Sequence, residues 1–214
     1  MRAVLNQRLT SKFAKPLAFV IALLPFAWLV TAAALDWLGA NPAEALERST
    51  GDWTLRMLCV VLAITPVRTI GKMPALARFR RMAGLFVYFY ALLHLLAYSW
   101  FDMGFDIADI ANDIVKRPFI LVGFTAVLLL TPLALTSFNL AIRALGGRKW
   151  QLLHRLVYVI AVLAVVHFFW MRAGKHNFGE VAVYAVILSS LLSWRLVQTV
   201  KKKRAIQPSS GLRS

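Results

Sequence analysis

The sequence predicts an all-α polytopic membrane protein: a bundle of six transmembrane helices with both termini in the cytoplasm. Two observations carry this. Of 214 residues, 60% are hydrophobic and the mean hydropathy is +0.67, against 45–50% apolar in ordinary soluble domains. Charge is also segregated: every acidic residue falls between the same alternate apolar runs, and the basic clusters fall between the others.

The apolar runs are 16–38, 53–70, 81–101, 119–137, 150–171 and 181–200, each near the roughly 20 residues that cross a hydrocarbon core. The first has a basic start and small residues at 31–34 that resemble a leader-peptide cleavage site. It runs on to Leu35-Asp36-Trp37, which suits a retained helix better. The second and fourth carry Pro66 and Pro132 towards their ends, where a kink or stop is tolerated. Residues 1–15 form an N-terminal segment, 16–200 the helical domain and 201–214 a basic tail expected to be disordered. No internal repeat is evident.

Arg2, Arg8, Lys12 and Lys15 precede the first run without an acid, and Arg68, Lys72, Arg78, Arg80 and Arg81 do the same between the second and third. Arg143, Arg148, Lys149 and Arg155, then Lys201, Lys202, Lys203, Arg204 and Arg213, complete the series. The intervening connections hold Asp36, Glu44, Glu47 and Asp52, then Asp102, Asp106, Asp109 and Asp113, then Glu180. Lys and Arg set orientation, so the basic connections are cytoplasmic. The net charge of +16 is thereby spent on topology, and nucleic-acid binding is excluded as its explanation. The lone Cys59 excludes an intrachain disulfide, a thiolate cluster and a CxxC redox pair.

Three of the four histidines, His94, His154 and His167, lie in predicted spans, where an imidazole is costly and usually paired or functional. His94 on the third span and His167 on the fifth come out at similar depth. Facing imidazoles of this kind are what a six-coordinate haem b needs, and such an iron favours electron transfer over oxygen binding. The competing reading is core histidines bonded to carbonyls, or a proton relay. Zinc fits less well, since no carboxylate or thiol within the spans completes a tetrahedral set. His154 lies thirteen residues before His167, about 20 Å of helical rise, and the two rings would point about 140° apart. A second haem at His154 is therefore open; Met82 lies near its depth as a possible thioether ligand. His176, between Lys175 and Asn177, reads as a solvated loop residue. Phe86, Tyr88, Phe89, Tyr90, Tyr98 and Trp100 around His94, with Phe168, Phe169 and Trp170 after His167, would pack a macrocycle. Arg80, Arg81 and Arg155 would pair with haem propionates or a flavin phosphate, or serve only as topology anchors.

Several stretches carry a family resemblance: Arg80-Arg81-Met82-Ala83-Gly84-Leu85 ahead of Leu93-His94-Leu95, Trp150-Gln151-Leu152-Leu153-His154-Arg155-Leu156-Val157-Tyr158, and His167-Phe168-Phe169-Trp170. So do Leu24-Pro25-Phe26-Ala27-Trp28-Leu29, Ile64-Thr65-Pro66-Val67-Arg68 and Arg117-Pro118. Over about residues 16–200 the chain resembles the MsrQ (YedZ) family within the ferric-reductase-like transmembrane group. That resemblance implies a haem b subunit of the bacterial inner membrane, with FMN, drawing electrons from the quinone pool. It further implies a heterodimer with a periplasmic molybdopterin methionine sulfoxide reductase subunit (MsrP-like) that repairs oxidised proteins. His94, His154 and His167 match the family's haem-linked histidines, although the wider group separates the paired histidines of one helix by one residue more. No motif assigns FMN or quinone residues.

Two other functions compete. A stand-alone ferric or quinone reductase would need a nicotinamide–flavin domain, and no G-x-G-x-x-G follows a strand. A proton-coupled transporter would show inverted repeats and mid-membrane acids. The chain thus reads as an electron-transfer subunit that does not finish substrate chemistry alone, embedded in lipid, with the acidic 102–113 connection a candidate docking surface.

Overall fold

In hydrocarbon no water satisfies backbone N–H and C=O groups, so each apolar run must close its hydrogen bonds within itself as a helix. The computed structural model describes residues 2–173 and 178–206 and shows this throughout. The described elements are α1 (Arg2–Thr10), α2 (Ala14–Ala34), α3 (Pro42–Ile70), a 3-10 turn (Pro74–Phe79), α4 (Arg80–Phe101), α5 (Ile107–Lys116), α6 (Pro118–Leu135), α7 (Asn139–Leu153), α8 (Leu156–Ala173) and α9 (Gly179–Ile206). Six are long and apolar enough to cross a membrane: α2, α3, α4 with its preceding turn, α6, α8 and α9.

Where the helices start and stop follows local chemistry. Asn41 caps α3 by accepting from Glu44 N at 3.2 Å, with Pro42 at the first helical position. Asp106 caps α5, accepting from Ala108 N and Asp109 N. Arg117 stays extended before Pro118, as the residue ahead of a proline must.

The bundle is organised around α3 and α4, each with 39% of its apolar window buried, whereas α2 and α9 have 11% and form the periphery. The core is aliphatic, with Leu58, Leu62, Val87, Ile160 and Leu188 almost fully enclosed. Many large apolar side chains point outward instead, Trp28, Val60, Leu128 and Val186 among them, as lipid contact requires. Polar ties cross the packing seams. Tyr90 donates to Ala22 O at 2.7 Å, Arg195 donates to Tyr158 Oη at 2.7 Å and Thr65 Oγ1 at 2.5 Å, and Arg172 pairs with Glu180 at 2.6 Å.

Four expectations are corrected. The second span begins eleven residues earlier than expected, at Pro42, so Glu44, Glu47 and Asp52 ride on α3 rather than in a connection. The fifth span does not start at Trp150: the chain turns at His154–Arg155 before α8 begins at Leu156. The basic tail continues α9 to Ile206, where disorder was expected. Finally, α1, α5 and α7 are helices in segments taken as connections. An amphipathic helix of ten residues, such as α5, is too short to register as a span.

Candidate functional site

The sequence pairs His94 with His167 by depth, and the structure brings them together. Their rings lie 6.2 Å apart, centre to centre, at an interplanar angle of 73°. His94 is on α4 and its Nδ1 lies 2.9 Å from Glu47 O on α3; His167 is on α8 and its Nδ1 lies 2.7 Å from Phe119 O on α6. A carbonyl only accepts, so each Nδ1 is the donor, and in the neutral form of the ring the proton sits there. The remaining nitrogen, Nε2, then has its lone pair free, the arrangement metal-bound histidines show when a carbonyl fixes the tautomer. A metal–nitrogen bond of about 2 Å on each side, plus the half-widths of two rings, accounts for a separation of this size.

Both rings wall a cavity of about 310 Å³ at the acidic end of the bundle. Leu55, Ala91, Ala126, Ile160 and Ala164 supply apolar wall, while Arg48, Arg117 and Arg172 stand around it. Each of these guanidiniums has a carboxylate partner: Glu44 at 3.4 Å, Asp113 at 2.8 Å and Glu180 at 2.6 Å, respectively. Asp113 also accepts from Tyr98 Oη at 2.8 Å, which ties α5 to the cavity's edge. Among the described residues no group of three His, Cys, Asp or Glu side chains converges on one point. Two histidines alone therefore suit a metal that brings its other ligands with it, as iron in a macrocycle does. The facing pair of rings and the apolar wall fit haem, with Arg48, Arg117 and Arg172 at an edge that Glu44, Glu47, Asp52 and Asp102 also line.

The aromatic cradle is only partly as expected. Tyr98 and Phe168 line the cavity, joined by Phe119 and Phe124. Phe86, Phe89 and Tyr90 turn the other way, forming a stack with Phe19, Phe26 and Trp53 that seats α4 on α2 and α3. Trp100 is mostly exposed, at 64%.

His154 is not brought to this pair. It sits at the α7–α8 turn with Nδ1 3.0 Å from Trp150 O and its ring stacked on Trp150 at 3.9 Å. Trp150 is itself held by its Nε1 donating to Thr136 O at 2.8 Å. Because His154 and His167 do not share one helix, the angular objection to a second site falls away. His154 Nε2 is buried with no protein partner, and the residue lines a second cavity of about 320 Å³ with Arg68, Arg80, Arg81 and Gly84. Among the described residues no second histidine lines that cavity, Met82 packs into the aliphatic core instead, and Arg155 is not among its walls. His176 lies outside the described residues.

Sequence reasoning missed the two carbonyls and the two glycines, Gly51 and Gly123, on which the ligand rings rest. No residue pattern marks them: the acceptors are backbone oxygens of unlike residues, Glu47 and Phe119.

Fold and site together define a multi-pass helical membrane protein with a pair of imidazoles from two spans facing each other 6.2 Å apart. Residues 50–165 match the family described as ferric reductase like transmembrane component. A relative from Polaromonas naphthalenivorans (strain CJ2), named "Protein-methionine-sulfoxide reductase heme-binding subunit MsrQ", is 71% identical over 86% of this chain and 84% of its own length. One of the same name from Herminiimonas arsenicoxydans is 49% identical over 94% of this chain and 93% of its own. The magnetosome protein MamZ of Magnetospirillum gryphiswaldense is 44% identical over 86% of this chain but only 29% of its own length. No solved structure matches. The chain belongs to the MsrQ family of ferric-reductase-like membrane proteins, and its own six apolar helices together with its bacterial relatives place it in the inner membrane.

Proposed function

We propose that this chain is the membrane electron-transfer subunit of a protein-methionine-sulfoxide reductase, holding haem b between His94 and His167. The observation that carries this reading is the matched imidazole pair, each ring with its Nδ1 proton committed to a carbonyl. When bound between His94 and His167, haem b would supply a one-electron carrier. His94 and His167 contribute the lone pairs, and the carbonyls of Glu47 and Phe119 fix the tautomer and make the imidazoles more basic. Leu55, Ala126 and Ile160 exclude water, while Arg48, Arg117 and Arg172 stand where carboxylates of a macrocycle would find cations. His154, with its orphaned Nε2, is the candidate ligand at a second site, where Arg68, Arg80 and Arg81 suit an acidic cofactor, either a second haem or FMN.

In this reading both termini and the basic end are cytoplasmic. Electrons come from the quinone pool and leave at the acidic end to a periplasmic molybdopterin methionine sulfoxide reductase subunit, which performs the substrate chemistry. The names of the relatives support the association with a methionine-sulfoxide reductase; the charge asymmetry supports the direction.

A visible spectrum of the purified protein tests the proposal. A reducible low-spin haem signature is expected, lost in His94→Ala and in His167→Ala. A fully folded, colourless preparation that takes up no haem would overturn it. His154→Ala is expected to leave that signature in place and lower the cofactor-to-protein ratio; an unchanged ratio removes His154 from the site.

A further inference from the structure

The two ligand histidines are seated by the same device. On α3, Glu47 and Gly51 stand one helical turn apart; on α6, Phe119 and Gly123 do the same. His94 bonds to the carbonyl of Glu47 and lies on Gly51, and His167 bonds to the carbonyl of Phe119 and lies on Gly123. A Cβ built on Gly51 would stand 3.2 Å from Cε1 and 3.3 Å from Nδ1 of His94. One built on Gly123 would stand 2.8 Å from both Cε1 and Nδ1 of His167. Gly84, Gly147 and Gly179 show nothing of the kind: a Cβ on any of them meets no atom within 4 Å.

We infer that Gly51 and Gly123 are positioning residues for the metal pair, two notches in helices lining one cavity that let each imidazole reach the carbonyl one turn earlier. The inference rests on the haem reading above. A ring held by a carbonyl at Nδ1 and by iron at Nε2 has both ends fixed. A methyl group pressing on its Nδ1–Cε1 edge then has three outcomes: a broken carbonyl bond, a displaced Nε2 or a turned ring plane. An imidazole without iron is free to swing away, so the effect belongs to the ligated state. The contact is tighter at Gly123, below any distance a real Cβ keeps, so the two notches are unequal: Gly123 governs whether His167 ligates, and Gly51 tunes how His94 does. Glycine inside a helix is otherwise unfavourable, and here its use is the absence of a side chain at a point where a ring must pass.

The test compares Gly51→Ala, Gly123→Ala and the exposed control Gly147→Ala, each purified as the full chain. Gly123→Ala is expected to lose haem severalfold. Gly51→Ala is expected to keep haem with shifted low-spin electron-paramagnetic g-values, the signature of a turned imidazole plane. Gly147→Ala should match the unsubstituted protein. Thermal melts add a readout independent of haem spectra: Gly123→Ala should lower the melting temperature in the native background and not in His167→Ala. Equal destabilisation with and without the ring would assign Gly123 to helix packing and overturn the inference, as would native haem content and g-values in both alanine variants. Should Gly123→Ala not fold, the g-values of Gly51→Ala decide alone. Haem missing from the unsubstituted protein would instead sink the reading beneath it.

Discussion

At the scale of single residues, several polar side chains between the spans are answered by carbonyls and hydroxyls of neighbouring helices. Arg195 illustrates it: one guanidinium nitrogen donates to Tyr158 Oη and another to Thr65 Oγ1, and these two bonds join α9 to α8 and α3. Hydrogen bonds between membrane helices average about 0.6 kcal/mol, so Tyr158→Phe and Thr65→Val are each expected to cost about that much. The two losses fall on one guanidinium, so they should not add; a double-mutant cycle in thermal melts checks this. The same scale explains which site residues were legible beforehand. His94 and His167 announce themselves, because an imidazole in a span needs a reason. Gly51 and Gly123 do not, because glycine is common in membrane helices for other reasons, and backbone carbonyls carry no letter in a sequence.

At the scale of elements, the short helices are the part that hydropathy could not show. Ten residues of α5 alternate apolar and acidic faces, its Asp106 cap holds two N–H groups, and Asp113 ties it to Tyr98 and Arg117. Asp106→Ala is expected to cost about 1 kcal/mol, felt locally: amide exchange should speed up across α5 while the spans stay protected. In α7, Gly146 has φ +73° and ψ 151°, breaking the helix into two pieces. Gly146→Ala should destabilise by about 1 kcal/mol or more, whereas the neighbouring Gly147, with ordinary φ and open space, should accept alanine; paired thermal melts separate them. The turn at His154 escaped the sequence for a related reason. Leu152 and Leu153 before it and Leu156 and Val157 after it are apolar, so composition averaged over the window reads through a corner that Trp150 and His154 hold by stacking.

At the scale of the whole molecule, six spans and their relative depths were legible because two independent signals agree, apolar length and the alternation of charge. The expected topology is checked by reporter fusions at the inter-helix connections. An enzyme active only outside the cytoplasm should be active when fused after 38 or 104 and silent after 71 or at either terminus. Activity at a terminus would reverse the proposed direction of electron flow.

Leu58, Val87 and Leu130 line both cavities, so the two compartments share a wall of three aliphatic side chains. None of those side chains has an atom that can carry a proton, whereas an electron crosses so thin a barrier without a carrier chain. On the proposed function this wall separates charge. An electron passing from the basic to the acidic compartment leaves its proton behind, and the step moves negative charge along the membrane's electric field. A full crossing corresponds to about 2.3 kcal/mol per 100 mV, and this partial one to a fraction of that. In sealed vesicles an inside-negative potential should therefore speed delivery to an external acceptor, and an ionophore that collapses the potential should slow it.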